Sequence, residues 1–120
     1  MKRKPLIWVA SSKKDLRDFP DEVQKTMGFG LHEAQIGNKP GNAKPLKGFG
    51  GADILEIIDE DPSGTYRAVY TVKFKEVVFV LHVFQKKSKQ GIKTPEREIE
   101  LIKNRLKQAQ EEYNEQYKKK

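Results

Sequence analysis

The sequence predicts an α+β domain: a small twisted antiparallel β-sheet with helices packed on one face. Three observations carry this expectation. Residues 65–87, TYRAVYTVKFKEVVFVLHVFQKK, read as a strand pair; Phe19, Val23, Met27 and Leu31 form a helical stripe; and Thr94-Pro95-Glu96 opens an amphipathic segment. The element order is β-α-α-β-β-β-α, with the strands gathered where hairpins can join them. At 120 residues the chain fits a single domain, 1–120, large enough to bury a core.

The elements follow in order. Residues 5–10 (PLIWVA) are short and apolar and predict a first strand. Ser11 or Ser12 can cap a short helix carrying Leu16, with Asp15 suited to its positive end. Pro20 suits the start of a second helix, whose stripe recurs at i, i+4 and i+8 and runs to about Ile36. Gly28 and Gly30 weaken that helix by about 1 kcal/mol each relative to Ala, and can let it approach another backbone closely. His32, off the stripe, reads as solvated.

Residues 37–51 (GNKPGNAKPLKGFGG) read as a loop, with five glycines, two prolines and two asparagines. The loop carries Lys39, Lys44 and Lys47 and no acid, so its amides and lysines can meet phosphate; it lacks the spacing of a nucleotide-binding P-loop. Residues 52–58 (ADILEII) predict a strand and 59–64 a polar turn. The acids from Asp53 to Asp61 lack calcium-loop spacing and a nearby His, so neither a metal nor a cofactor is expected.

In the central pair, alternation puts Tyr66, Ala68, Tyr70 and Val72 on one face and Arg67, Val69 and Thr71 on the other. Pairing Lys73 with Glu76 across the turn sets Arg67 directly opposite His82, with Phe84 and Lys86 continuing that face. Phe79, Leu81 and Val83 would then join the tyrosines. One face is greasy; the other, with Arg67, His82 and Lys86, is an expected open working surface that tolerates substitution. In the last helix, Thr94 is the expected cap, Pro95 the first position, and Ile99, Ile102, Leu106, Ala109 and Tyr113 the apolar seam. Beyond it, residues 114–120 read as a frayed basic tail.

Lys plus Arg number 24 against 17 Asp plus Glu, a net charge of +7, which points to an anionic partner, nucleic acid first. There is no Cys, hence no disulfide or thiolate chemistry. No apolar run spans a bilayer and no signal peptide is seen, so no membrane partner is expected and the cytoplasm is the expected location.

Several segments, in order, resemble a known family: Trp8 in the first strand, KKDLRDFP, GFGLHEAQIG, KPLKGFGG, TYRAVY, VLHVFQKKS and TPEREIELIKNRL. Over about nine-tenths of its length the chain resembles the phage-derived, HigB-like branch of the RelE/ParE toxin superfamily, the toxins of type II toxin–antitoxin modules. The resemblance implies a twisted sheet with helices on one side, and an activity: metal-independent cleavage of mRNA, free or on the ribosome, inhibiting translation. The RNA 2′-hydroxyl would attack the neighbouring phosphate, which needs a base, cations and a proton donor. It implies phosphate stabilisation by Arg67 and a cation at Lys86; His82 has the pKa for acid–base work. Lys44, Lys47, Lys87 and Lys89 are the candidate RNA contacts. The implied partner is a cognate antitoxin of helix-turn-helix type. RelE-type lysines on strand 52–58 are replaced by Asp53 and Glu56, and the C-terminal RelE tyrosine has no match between Lys87 and Arg97. Those departures keep open a second function, a non-enzymatic ParE-like toxin that binds DNA gyrase.

Overall fold

The computed structural model describes residues 3–51, 53–86 and 94–118. Among them, five strands form one sheet: β1 (Leu6–Trp8), β2 (Ala43–Pro45), β3 (Ile54–Asp61), β4 (Gly64–Thr71) and β5 (Val78–Lys86). Their spatial order is β1-β5-β4-β3-β2. The helices are α1 (Ser12–Arg17), α2 (Asp21–Gln35) and α3 (Glu96–Tyr113), the last continuing as a π-helical turn over Asn114–Lys118. The α+β class and the order of the long elements are as the sequence predicts.

Tertiary pairing refines the sheet. β1 lies parallel to β5, Leu6 against Val78, so the sheet is mixed. This follows because α1 and α2 separate β1 from the strands it joins. β2, three residues within the loop-like stretch, pairs antiparallel with β3, Lys44 opposite Glu56. It is an edge strand, where Pro45 costs no ladder bond. β3 also outruns the expected turn: Asp59, Glu60 and Asp61 pair with Tyr66, Thr65 and Gly64, leaving Pro62-Ser63 as the hairpin loop. Gly64 has φ 142°, a backbone region that side-chain-bearing residues rarely enter. Asp61 accepts from the Ser63 amide and hydroxyl, which holds its carboxyl below the usual range.

The register of β4 on β5 corrects the expected pairing. Arg67 faces Phe84, and His82 faces Val69. Two shifts explain it. The connection runs over residues 72–77, longer than the expected turn, with Phe74 buried against Phe79 and Tyr113. A bulge then follows, Val69 pairing with His82 but Tyr70 with Val80, so that Leu81 is the extra residue. Together the shifts add two residues, which preserves the face but not the opposition: Arg67 and His82 still look the same way. Phe79 and Leu81 change sides, joining Val69 rather than the tyrosines.

Both faces are covered, which corrects the one-sided layering. Tyr66, Ala68, Tyr70, Val78, Val80 and Val83 pack with Val23, Met27 and Leu31 of α2 and Leu16 of α1. Val69, Phe79, Leu81 and Phe84 pack with Ile102, Ala109 and Tyr113 of α3. The physical cause is β5 itself: VVFVLHVF is apolar on both sides and needs two covers. Gly30 is where α2 comes close to the sheet; a Cβ there would lie 2.7 Å from Cδ1 of Ile57, whereas one at Gly28 meets nothing within 4 Å.

Candidate functional site

The face expected to be open lies under α3, and it organises into two polar clusters. The first centres on Arg67, only 2% exposed. Its Nη1 donates to Glu56 Oε1 at 3.1 Å and Oε2 at 3.3 Å, and to Thr94 Oγ1 at 3.2 Å. Thr94 Oγ1 in turn donates to Glu56 Oε2 at 3.3 Å. The expected cap residue therefore serves the site, and Pro95 takes the N-cap position of α3. Pairing across β3 and β4 sets Glu56 opposite Val69, one step along from Arg67, so the ion pair is diagonal on one face. Its burial overturns the expectation that Arg67 can be truncated without cost to the fold.

Beside Glu56 and Thr94 opens a pocket of about 480 Å³, lined further by Lys44, Pro45, Leu46, Lys47 and Gly48 from β2 and its loop, and by Glu96, Ile99 and Lys103 of α3. Two predicted phosphate-contacting lysines, Lys44 and Lys47, thus share a pocket with Glu56 and Thr94, the residues to which Arg67 donates. Lys86, on the same strand face, is buried, and burial draws its ammonium below the usual range; the Arg67 charge pulls the same way and Glu56 opposes. Lys87 and Lys89 lie outside the described residues.

The second cluster centres on His82, 7% exposed. Its Nε2 is 2.6 Å from Glu98 Oε1 and its Nδ1 3.2 Å from Arg105 Nη1. Guanidinium has no acceptor, so Arg105 donates, Nδ1 accepts, and the neutral ring carries its proton on Nε2, toward Glu98. Phe84 stacks on the ring, centroids 4.9 Å apart and planes 19° apart. Arg105 also donates to the Leu81 carbonyl at 3.1 Å and to Ser11 Oγ at 3.2 Å, and Ser11 Oγ donates to Asp15 Oδ2 at 2.8 Å. Burial pulls the His82 pKa down; Glu98 pushes it up and Arg105 down again. His82 and Arg67 share a face but belong to different clusters, with Phe84 next to both.

Glu56, Thr94, Glu98, Lys103 and Arg105 were not among the sequence candidates. A signal existed for two of them: Glu98 and Arg105 are seven apart, so they share a helix face beside the Ile102–Ala109 seam. Among the described residues, no group of three or more His, Cys, Asp or Glu side chains could hold a metal ion, and no helix is long and apolar enough to cross a membrane.

Solved structures share this architecture. The isolated Escherichia coli RelE toxin superposes with a TM-score of 0.54 at 25% identity, over 84% of this chain and 97% of that one. A double arginine-to-alanine mutant of E. coli RelE in the free state gives 0.55 at 20% identity, over 89% and 98%. The toxin–antitoxin complex RelBE2 of Mycobacterium tuberculosis matches less closely, at 0.47 and 19% identity over 73% and 97%. The fold is therefore RelE-like. The chain belongs to the family of the phage-derived protein Gp49-like (DUF891), whose model matches residues 14–107. A search among curated proteins finds no match.

Proposed function

We propose that this chain is the toxin of a type II toxin–antitoxin pair, of the HigB-like branch, and that it inhibits translation as a metal-independent mRNA endonuclease, free or on the ribosome. The observation that carries this reading is the pocket, on a RelE-like sheet, in which Lys44, Lys47 and Lys103 meet Glu56 and Thr94, the buried partners of Arg67. RNA phosphates enter past Lys44 and Lys47, with Lys87 and Lys89 as further contacts. Arg67 and Lys86 supply positive charge to the phosphorane, and His82 the acid–base function. An entering phosphate competes with the Glu56 carboxylate for Arg67, an exchange between two anions on one guanidinium. The antitoxin, of helix-turn-helix type, presents acidic or amphipathic surface to the cationic rim.

One observation favours a second reading. Arg67 is buried and already neutralised by Glu56, as suits a chain that binds rather than cleaves. A non-enzymatic ParE-like toxin acting on DNA gyrase would need no exposed phosphate site. Primer extension on cellular mRNA after induction, run beside a gyrase supercoiling assay, separates the two. New 5′ ends with unimpaired supercoiling support the nuclease; intact mRNA with inhibited supercoiling supports the gyrase toxin.

A further inference from the structure

We propose that Glu98 and His82 form a carboxylate–imidazole dyad whose working atom is His82 Nδ1, and that Arg105, which covers that atom, is a further phosphate-binding residue. The proposal rests on the ribonuclease reading above and names the atoms that carry its proton transfer.

Three features of the geometry lead to it. Glu98 holds the ring through Nε2 at 2.6 Å and Phe84 fixes its plane, so the opposite nitrogen points in one direction. This is the orienting logic of a carboxylate–histidine pair in acyl-transfer enzymes: the carboxylate sets the tautomer and stabilises the imidazolium, and the far nitrogen takes the proton. Secondly, that far nitrogen is held by Arg105 alone among the described residues, at 3.2 Å. Thirdly, the hydrogen-bond acceptors of Arg105 here, the Leu81 carbonyl, His82 Nδ1 and Ser11 Oγ, are neutral, the Asp15 and Glu98 carboxylates act on it only through space, and its side chain is only partly buried. A phosphate offers a guanidinium two charged oxygens in a planar fork, a stronger partner than an imidazole nitrogen.

The charged groups around His82 are Glu98 and Arg105 on α3 and, behind Ser11, Asp15 on α1; β4 contributes apolar Val69 opposite it, and β5 apolar Phe84. When a phosphodiester draws Arg105 away, Nδ1 is uncovered and one of the influences that lowers its basicity leaves with the guanidinium. In the step that follows, the O2′–H bond breaks and its proton goes to Nδ1. The O2′ lone pair forms a bond to phosphorus and the P–O5′ bond breaks with its electron pair on O5′. Water protonates O5′, and the hydroxide left takes the proton from Nδ1, restoring neutral His82. Glu98 is a positioning residue in this scheme, touching the ring and not the RNA.

The test combines ¹⁵N NMR of the His82 ring with the pH profile of single-turnover RNA cleavage. It uses the wild type, Glu98→Ala, Arg105→Ala and Arg105→Lys. Wild-type His82 is expected neutral at pH 7.5, protonated on Nε2. A non-cleavable 2′-deoxy oligonucleotide at low salt should raise its pKa, as Arg105→Ala does without a probe. Cleavage should fall by about 10²-fold in Glu98→Ala and Arg105→Ala. The acidic limb of the profile should move down in pH for Glu98→Ala and up for Arg105→Ala, and Arg105→Lys should recover part of the rate. A merely structural role would lower the melting temperature and leave the limb in place. If Arg105→Ala does not fold, Arg105→Gln, which also removes the charge, carries the same comparison. A ring protonated on Nδ1, or a limb that stays put in folded variants of a cleaving enzyme, overturns the inference alone. Wild type that shows this tautomer but cleaves no RNA overturns the ribonuclease reading and the base assignment with it.

Discussion

Removing Arg67 tests how far the candidate site is also part of the fold. Arg67 and Glu56 lie 3.1 Å apart with side chains each 3% exposed. Taking away one partner leaves the other charge buried beside the Thr94 hydroxyl and within the electrostatic reach of Lys86. Such a break costs about 3–5 kcal/mol, whereas replacing both ions by apolar residues of similar volume is near neutral. At roughly 4 °C per kcal/mol for a domain of this size, Arg67→Met should lower the melting temperature by about 12–20 °C. Glu56→Leu should do nearly the same, and the double variant should return close to wild type, a coupling of at least about 3 kcal/mol. Urea and thermal unfolding followed by circular dichroism would measure all four corners of the cycle. An Arg67→Met loss below about 1 kcal/mol, or a double variant as unstable as the two losses added, would refute the reasoning. The outcome governs how function is read: a cleavage defect in Arg67→Ala means little unless the protein is folded at the assay temperature, and the double variant is the folded protein that lacks the cation.

Three further outcomes are expected. Gly28→Ala should stabilise by about 0.5–1 kcal/mol, because its Cβ meets nothing within 4 Å, while Gly30→Ala should destabilise against fully buried Ile57; chemical melts of the pair check the contrast. His82, depressed by burial, binds fewer protons folded than unfolded. Its share of stability is therefore present above about pH 6.5 and lost as pH falls from there through the folded pKa. Urea unfolding at pH 7.5 and 5.5 should show the loss, reduced in His82→Gln. Replacing Lys44 or Lys47 should weaken RNA binding about equally for all sequences and reduce the salt slope by about 1, measured by titration at several salt concentrations; affinity insensitive to salt would remove the pocket rim as the binding surface.

The long elements were legible because their periodicities are strong. The stripe Val23, Met27, Leu31 is buried on α2 as read, and the runs of β4 and β5 pair as an antiparallel hairpin. What failed to show was decided by tertiary contact. β2 is hidden in a Gly-, Pro- and Asn-rich stretch and exists only because β3 pairs with it. The bulge at Leu81 carries no Gly to mark it, so the register slipped in a reading built on turn length. The cover of α3 over Arg67, His82 and Lys86 had a signal, the two-sided apolar run VVFVLHVF, which says that both faces of β5 are buried. The sequence also brought Arg67 and His82 to one face but could not pair them with Glu56 and Glu98, since those contacts join strands and helix far apart in the chain. What is legible in single residues is chemistry; which residues meet is a property of the packing.

The most direct test of the central claim is cleavage by the purified, folded wild-type protein in the presence of a chelator, on mRNA alone and on mRNA in translating ribosomes. The nuclease account expects, in at least one arm, upstream fragments ending in a 2′,3′-cyclic phosphate or its hydrolysis product, and none where a single 2′-deoxy nucleotide replaces the attacking hydroxyl. RNA intact in both arms, or cleavage indifferent to the 2′-deoxy substitution, would contradict it.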